Sequence, residues 1–194
     1  DDYGHGTHVS GVIAAVANNN YGMAGIAWRA KILAIKALSS QGWGSDYEIA
    51  LAIRYAANNT SVKVINMSLG GAGYSQAEYD AVEYAVVTKK KLLVASAGND
   101  DTDVPGYPAG FAHPGAFPEF SGRVLAVAAH DSTQCKADFS NYGSWVSITA
   151  PGVNILSTVP PSLGYDGFVY MSGTSMAAPH AAGAAALLLT KYPS

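Results

Sequence analysis

The sequence has one cysteine, few charged residues and no long apolar run. Because Cys135 has no second cysteine to pair with, an internal disulfide is excluded, and its polar neighbours Gln134 and Lys136 predict an inert thiol in a partly exposed loop. Charged residues make up 13% of the chain, the net charge is -3, and Lys89–Lys91 is the longest run of like charges. This pattern argues against nucleic acid as a partner. No stretch of about 18 apolar residues is present, so we expect no membrane-spanning segment and no membrane partner.

Apolar residues, by contrast, are plentiful. Of the 194 residues, 49% are hydrophobic, which is enough to bury a sizeable core and excludes a disordered chain. The length suits one domain, so we expect residues 1–194 to form a single domain. The chain starts at Asp1 rather than at a methionine, shows no signal peptide and stops just past an apolar helical pattern. We therefore expect it to be a truncated segment of a longer protein.

Short β-rich runs alternate with helix-length amphipathic stretches along the chain. The runs are almost continuously apolar, as the buried strands of a parallel sheet are. The predicted strands are Lys31–Ala37, Val62–Ser68, Leu92–Ser96, Val124–Ala129 and Trp145–Ala150. The predicted helices are His5–Ala17, Asp46–Asn58, Gln76–Lys89 and Ser175–Lys191. This alternation predicts a three-layer α/β/α fold with a mostly parallel sheet, whose functional site lies at the carboxyl ends of the strands.

A histidine stands at the start of the first predicted helix, in the sequence Gly4-His5-Gly6-Thr7-His8. The flanking glycines leave room around the imidazole, which suits a general base. His8 lies three residues further on and shares one helical face with His5, so a zinc site is the competing interpretation. No neighbouring carboxylate or thiol completes a zinc ligand set. We therefore expect no catalytic metal, with His5 as the base and His8 as a buried structural residue.

A serine and an asparagine occupy two further positions that suit catalysis. Ser175 follows Gly173 at the start of the last predicted helix, where backbone N–H groups and the helix dipole favour a developing oxyanion. A serine that only caps a helix would look the same. Asn99 follows a predicted strand in Ala97-Gly98-Asn99, where its amide either donates to an oxyanion or only forms a turn. Together with His5, these residues predict a serine hydrolase.

Four motifs of this chain resemble those of the subtilisin family of serine proteases, and the thermitase-like members most closely. They occur in the family's order and spacing, and they are His5-Gly6-Thr7-His8-Val9-Ser10-Gly11, Ile65-Asn66-Met67-Ser68-Leu69-Gly70-Gly71, Ala97-Gly98-Asn99 and Gly173-Thr174-Ser175-Met176-Ala177-Ala178-Pro179-His180. Phe139–Gly143 and Ala150–Gly152 extend the agreement over essentially the whole chain. The resemblance implies a subtilisin-like fold and a serine endopeptidase. It also implies that His5 is general base and acid, that Ser175 is the acylated nucleophile, and that Asn99 with the Ser175 N–H holds the oxyanion.

The resemblance further implies a peptide-binding cleft. Substrate backbone is expected to pair with Ser68, Leu69 and Gly70 on one side and with Gly42, Trp43 and Gly44 on the other, and Trp43 is expected at the rim of a distal pocket. The pocket for the residue before the cut is expected between Ala97-Gly98 and Ala116–Glu119. Glu119 either favours a basic residue there or is a solvated surface carboxylate. The segment Asp100–Ala116 is longer than in shorter family members and is expected to remodel one side of the cleft.

A structural calcium site is the cofactor that the resemblance implies. Hard cations prefer carbonyl and amide oxygens presented by a tight loop. The matching positions are the Asn19 side chain and the carbonyls of Val16, Tyr21 and Met23. A plain polar loop between a helix and a strand is the alternative interpretation, because the family's carboxylate ligands lie upstream of these residues.

One member of the family's catalytic triad has no counterpart in this sequence. The family carries the orienting aspartate in an Asp-Thr/Ser-Gly turn upstream of the histidine, and Asp1 and Asp2 are too close to His5 for that role. They are expected to favour the start of the first helix instead. The resemblance implies an extracellular, secreted protein that meets polypeptide substrates or peptide inhibitors and possesses a pro-region. An α/β-hydrolase esterase, disfavoured by the order of histidine and serine, and a non-catalytic peptide-binding fragment are the alternatives.

Overall fold

The computed structural model describes residues 1–192 of the chain. Its helices are α1 (His5–Ala14), α2 (Asp46–Asn58), α3 (Gln76–Glu83), which continues as a π-helical turn over Tyr84–Thr88, and α4 (Thr174–Lys191). Its strands are β1 (Val64–Met67), β2 (Leu92–Ser96), β3 (Val124–His130), β4 (Ile148–Pro151), β5 (Ile155–Thr158) and β6 (Phe168–Met171). Three short 3₁₀ turns lie at Ala109–Ala112, Pro118–Phe120 and Pro161–Leu163.

The first four strands form one parallel sheet in the order β1-β2-β3-β4. Val64 pairs with Leu92 and Val127 pairs with Ile148, and the register runs without a break between these neighbours. β5 and β6 form a separate antiparallel pair. The predicted α/β class and mostly parallel sheet are therefore confirmed.

Two apolar clusters cover the two faces of the parallel sheet. On one face, α2 and α3 contribute Ile53 and Val82 to the cluster that contains Leu93 of β2. On the other face, Ala178 of α4 joins the cluster that contains Val94 of the same strand. Successive residues of a strand point to opposite faces, so a strand covered on both sides is apolar throughout. The predicted three layers, α/β/α, follow from this packing.

Serine residues cap the starts of α2 and α3. At α2, Ser45 Oγ accepts from the Glu48 N–H (3.3 Å) and the Glu48 carboxylate accepts from the Ser45 N–H (2.9 Å), which is a complete capping box. At α3, Ser75 Oγ accepts from the Glu78 N–H at 3.4 Å. These caps satisfy N–H groups that the first helical turn leaves without a carbonyl.

The prediction of a first strand at Lys31–Ala37 is wrong. The segment belongs to no strand within residues 1–192, and the sheet starts at β1 instead. Ile32 is 43% exposed and Leu33 is 41% exposed, so the run is apolar without being buried. A strand requires a neighbour that takes up its backbone hydrogen bonds, and no strand of the described chain lies beside this segment.

Other boundaries shift by a few residues. α1 ends at Ala14 rather than Ala17, and β4 starts at Ile148, after the buried Trp145 that was expected to open it. The β5–β6 pair was not predicted, because its two short runs are separated by nine residues rather than by a tight hairpin turn. The predicted bounds of α2 and β2 are confirmed at both ends.

Candidate active site

Three predicted site residues line one cavity of about 500 Å³. His5 is the first residue of α1, Asn99 follows the carboxyl end of β2, and Ser175 lies in the first turn of α4. The cavity is completed by Tyr3, Met171, Ser172, Gly173 and Met176. Folding therefore brings the imidazole near the amino end of the chain to the same space as the hydroxyl near its carboxyl end.

Ser175 is bonded to the segment that follows β1. Its hydroxyl donates to the Ser68 carbonyl (3.3 Å), and its own carbonyl accepts from Ser68 Oγ (2.8 Å). Asn66 Nδ2 donates to Ser68 Oγ at 3.0 Å. Within residues 1–192, no hydrogen bond joins Ser175 to His5. The Ser175 hydroxyl must therefore rotate away from Ser68 before His5 can accept its proton, and catalytic hydrogen bonds often tighten in this way when substrate binds.

Asn99 presents its amide N–H group to the cavity because its oxygen is already engaged. Asn99 Oδ1 accepts from the Thr174 N–H (2.8 Å) and from Thr174 Oγ1 (2.9 Å). Thr174 is fully buried, and its hydroxyl also accepts from the Gly98 N–H (3.1 Å). Since both bonds fix the oxygen, Asn99 Nδ2 is the group left to donate.

Gly173 keeps the space in front of two donors open. A β-carbon at this position would lie 3.7 Å from Asn99 Nδ2 and 3.7 Å from the Ser175 nitrogen. The Ser175 N–H belongs to the first turn of α4 and so has no carbonyl acceptor within the helix. Two N–H groups therefore converge on a space that a side chain would fill, which is the arrangement an oxyanion needs.

The His5 imidazole is half-buried at the start of α1. Burial, together with the nearby His8, holds the pKa of His5 below its usual range. A lowered pKa keeps the imidazole neutral at neutral pH, so that it can accept a proton. Within residues 1–192, no carboxylate is hydrogen-bonded to His5.

The two amino-terminal aspartates are engaged elsewhere. The Asp1 carboxylate accepts from the N–H groups of Gly4 (3.0 Å) and Thr7 (2.7 Å), so it stabilises the start of α1 as expected. Asp2 instead pairs with Lys36 at 3.0 Å in an exposed salt bridge, which corrects its predicted place at the helix start. Neither aspartate is hydrogen-bonded to His5.

The structure gives His8 and His180 structural contacts. His8 is fully buried, and its Nε2 lies 3.1 Å from the carbonyls of Ile155 and of Val169, so it fastens the β5–β6 pair to α1. His180 Nδ1 lies 2.8 Å from the Met176 carbonyl within α4. The prediction that His8 is a buried structural residue is confirmed. In the part of the chain that the structure describes, no group of three or more His, Cys, Asp or Glu residues could hold a metal ion.

The sequence did not identify two residues that support the site. Thr174 fixes the orientation of Asn99, and Asn66 bonds the serine that in turn holds Ser175. Their only signal in the sequence was position, since Thr174 directly precedes Ser175 and Asn66 lies two residues before Ser68. Their roles depend on contacts between distant segments, which spacing alone does not show.

The predicted peptide-binding segments follow β1 and precede α2. Ser68, Leu69 and Gly70 directly follow β1, and Gly70 is exposed. In the other segment, Trp43 is 78% exposed. The Gly42 and Gly44 that flank Trp43 are half-buried. Pairing of these segments with substrate stays a prediction.

The long loop after Asn99 is joined to the first of these segments. Gly71 and Tyr107 exchange two backbone hydrogen bonds, with N···O distances of 2.9 and 2.8 Å. The loop therefore lies beside Ser68–Gly70 and stiffens its far end. The sequence had left open which side of the cleft this loop would remodel.

The residues that were expected to form the two walls of the pocket for the residue before the cut lie in different places in the structure. Ala97 is buried, and Gly98 leads directly to Asn99 at the cavity. Glu119 is exposed on the turn Pro118–Phe120, where its carboxylate accepts from the Tyr79 hydroxyl at 2.9 Å and raises the pKa of Tyr79 to about 12. Glu119 is not among the described residues that line the cavity with His5 and Ser175. Its role beside the scissile bond stays a prediction.

The loop Val16–Met23 presents free neutral oxygens. Asn19 Oδ1 accepts from the Tyr21 N–H (3.1 Å) and bends the loop upon itself. Among the described residues, no backbone N–H group donates to the carbonyls of Val16, Tyr21 or Met23. These oxygens are of the kind that calcium prefers, so the donor set fits the ion in chemistry although it contains no carboxylate.

Comparison with known proteins identifies the family. The model described as "Subtilase family" matches residues 1–194. This chain belongs to the subtilase family. It is 46% identical over 193 residues to the cell wall-associated protease of Bacillus subtilis (strain 168), covering 100% of the chain and 20% of that protein. It is 43% identical over 188 residues to thermitase of Thermoactinomyces vulgaris (97% and 62%) and 42% identical over 194 residues to subtilisin Savinase of Lederbergia lenta (100% and 66%).

A solved structure supports the same assignment. The crystal structure of a cold adapted subtilisin-like serine proteinase matches with a TM-score of 0.82 and 35% identity, covering 98% of this chain and 63% of that one. The predicted resemblance to the subtilisins and the predicted fold are thereby confirmed. The chain spans between 20% and 66% of the length of the three curated relatives above. Among the described residues of this subtilase chain, no helix is both long and apolar enough to cross a membrane.

Proposed function

We propose that this chain carries the catalytic centre of a serine endopeptidase that hydrolyses peptide bonds through an acyl-enzyme on Ser175. The observation that carries the proposal is the convergence of His5, Asn99 and Ser175 on one cavity. The names of the relatives support it, since they include a "Thermophilic serine proteinase" that is 44% identical over 187 residues. Peptide hydrolysis needs a nucleophile, a base and an oxyanion site, and the cavity offers a candidate for each.

The chemistry assigns a step to each of these residues. Ser175 Oγ attacks the carbonyl carbon of the peptide while its proton passes to the neutral His5 imidazole. The oxyanion that forms accepts hydrogen bonds from Asn99 Nδ2 and from the Ser175 N–H. His5 then donates its proton to the leaving amine, and a water molecule that His5 deprotonates hydrolyses the acyl-enzyme.

The orientation of His5 limits the rate expected of residues 1–194 tested alone. The family's triad places an aspartate against the histidine, and no carboxylate of the described chain bonds to His5. In other serine proteases, loss of this function lowers kcat by about 10⁴, because the imidazole is no longer held in the required tautomer. We therefore expect slow peptide turnover from this segment by itself.

The partners that suit this cleft are extended polypeptides. Ser68–Gly70 and Gly42–Gly44 would pair with the backbone of a substrate or a peptide inhibitor, and such pairing accepts many sequences. A pro-region that occupies the same cleft is the corresponding intramolecular partner. The likeness to subtilisin Savinase and thermitase supports an extracellular location.

We also propose a structural calcium ion in the loop Val16–Met23. Asn19 and the carbonyls of Val16, Tyr21 and Met23 would hold it, and the ion would stabilise the link between α1 and the following segment. Chelation should lower the melting temperature of the native protein, and Asn19→Ala should remove most of that sensitivity. A melting temperature that is the same with and without a chelator would refute the site.

Active-site labelling tests the catalytic proposal. A fluorophosphonate should modify one serine of the native protein, identified as Ser175 by peptide mass spectrometry. Ser175→Ala should abolish labelling and His5→Ala should slow it strongly, whereas Ser132→Ala, at an exposed serine, should leave it intact. Cleavage of a peptide amide separates a protease from an esterase that turns over only short esters. Peptide binding without labelling or turnover would instead establish a non-catalytic peptide-binding protein.

A further inference from the structure

Two helix starts share the pattern Ser-x-x-Glu but use it differently. Ser45 and Glu48 of α2 form the complete capping box described above. Ser75 caps α3 in the same way, but the Glu78 carboxylate does not return to the Ser75 N–H. Glu78 therefore forgoes the hydrogen bond that its position offers and that Glu48 makes.

The Glu78 side chain is buried without a partner. It is only 5% exposed, and within residues 1–192 its carboxylate makes neither a hydrogen bond nor a salt bridge. Its oxygens keep some contact with solvent. Among the described residues, the side-chain atoms that have neither a hydrogen-bond partner nor contact with solvent are His8 Nδ1 and Asn66 Oδ1, and the Glu78 oxygens are not among them. The carboxylate therefore points into a crevice that solvent can reach. Burying an unpaired acid is costly, so a structural purpose alone does not account for it.

The charges around Glu78 are negative. Burial, and then the nearby Asp46 at the start of α2, raise the pKa of Glu78 to about 7. Arg54, the basic residue of α2, directs its guanidinium to the Asp80 carbonyl (3.4 Å) and over the Tyr84 ring. Glu119 is bonded to Tyr79. The crevice between the starts of α2 and α3 thus combines two carboxylates with no bonded cation.

The crevice lies beside the predicted peptide-binding segments. Asp46 follows Gly44 by two residues, and Ser75 follows Gly71 by four. Leu69 packs on the same core cluster as Ile49 of α2 and Tyr79 of α3. The segment Ser68–Gly70 and the starts of α2 and α3 are therefore neighbours, and a side chain of a peptide held along Ser68–Gly70 would lie near Glu78 and Asp46.

We propose that Glu78 and Asp46 form an acidic side pocket that selects peptide substrates with a lysine or arginine at a position removed from the scissile bond. The inference rests on the proposed peptidase function and adds a substrate preference to it. A basic side chain would supply the cation that both carboxylates lack, and a charged pair in a water-poor crevice is stronger than one on the surface. The aliphatic stem of such a side chain would lie against Leu69 and Tyr79.

Competing peptides test the pocket in the native protein. Each peptide carries arginine at one position and is compared with the same peptide carrying citrulline, which has nearly the same shape but no charge. At one position distant from the cut, kcat/KM should favour arginine by about 10- to 100-fold, as expected for one partly buried charge pair. Glu78→Gln should reduce that ratio to about twofold or less, since only the Asp46 carboxylate then remains to favour arginine over citrulline. Glu83→Gln, which removes an exposed charge from the same helix, should keep the full ratio.

The pH dependence of the ratio is a second readout. Because Glu78 is protonated below about pH 7 in the empty pocket, the arginine preference of the native protein should increase from pH 6 to pH 8. The same rise should be absent from Glu78→Gln. Fluorophosphonate titration of Ser175 and the melting temperature report whether each variant is folded and active.

The outcomes separate the two proposals. If no serine is labelled and no peptide is cleaved, the peptidase function itself fails. If peptides are cleaved but no position prefers arginine over citrulline, or if Glu78→Gln keeps the preference in a folded enzyme, the acidic pocket is refuted.

Discussion

The buried carboxylate of Glu78 should make the stability of this protein depend on pH in a defined way. Its pKa is raised from 4.5 to about 7 in the folded state, so the folded chain holds this proton more tightly than the unfolded chain does. The contribution of this proton to the free energy of unfolding is complete below about pH 4.5 and is lost as the pH rises through about 7. A pKa difference of about 2.5, at about 1.4 kcal/mol per pKa unit, corresponds to about 3–4 kcal/mol.

Glu78→Gln removes this dependence because glutamine does not titrate. Linkage predicts that wild type loses about 1 kcal/mol of this contribution by pH 5 and about 3 kcal/mol by pH 8. The variant should therefore gain about 2 kcal/mol relative to wild type between pH 5 and pH 8. Both proteins carry Ser175→Ala, which prevents self-digestion during the measurement.

Urea unfolding followed by tryptophan fluorescence at each pH gives the free energy of unfolding. Comparing the variant with wild type at the same pH cancels the contributions of the other titrating groups to the free energy of unfolding. Glu83→Gln, at an exposed acid of the same helix, should show a difference from wild type that stays constant between the two pH values. A constant difference for Glu78→Gln as well would refute the reasoning, because it would mean that the carboxylate is solvated in the folded state.

Three further predictions concern the catalytic site and its support. Asn99→Leu should lower kcat by about 10²- to 10³-fold with little change in KM, the loss that removal of an oxyanion donor produces in the subtilisins, and a change confined to KM would contradict the assigned role. Gly11→Ala should lower stability to urea by about 1–3 kcal/mol despite the better helix propensity of alanine. Its β-carbon would lie 2.3 Å from both Ser157 Oγ and Thr158 Oγ1, which bond α1 to β5, and unchanged stability would show that both hydroxyls can move aside. Because burial lowers the pKa of His5, the rate of Ser175 phosphonylation in residues 1–194 should rise with pH with a midpoint below the usual histidine range, and a midpoint within or above that range would contradict this lowering of the pKa.

The fold was predictable where local pattern and tertiary packing agree. The first four residues of β2, Leu92–Ala95, are apolar because both faces of the strand are covered, and the predicted bounds of β2 are the observed ones. Lys31–Ala37 is also rich in apolar residues, yet its Ile32 and Leu33 remain exposed. The sequence of a run shows that it suits a buried strand, whereas the presence of a neighbouring strand decides whether it becomes one.

The candidate site was predictable for a different reason. His5 and Ser175 occupy helix starts and Asn99 follows a strand, so motif position indicated where each side chain could act. The contacts that orient them could not be predicted this way. Ser45-x-x-Glu48 and Ser75-x-x-Glu78 are the same pattern, but only the first closes a capping box, and the side chain of the second glutamate is buried instead of returning to the Ser75 N–H.

The first two residues of α4, Thr174 and Ser175, link Asn99 to Ser68. Thr174 fixes the oxygen of Asn99, and its neighbour Ser175 is bonded in both directions to Ser68. Any displacement of the start of α4 therefore moves Ser175 and Asn99 together, and their relative geometry survives. His5 has no such bond to either residue within the described chain, and the helix that carries it, α1, is held by packing against α4 and by hydrogen bonds from β5. The distance between imidazole and hydroxyl is therefore the least constrained element of the site, so the orientation of His5 should decide how fast this chain reacts.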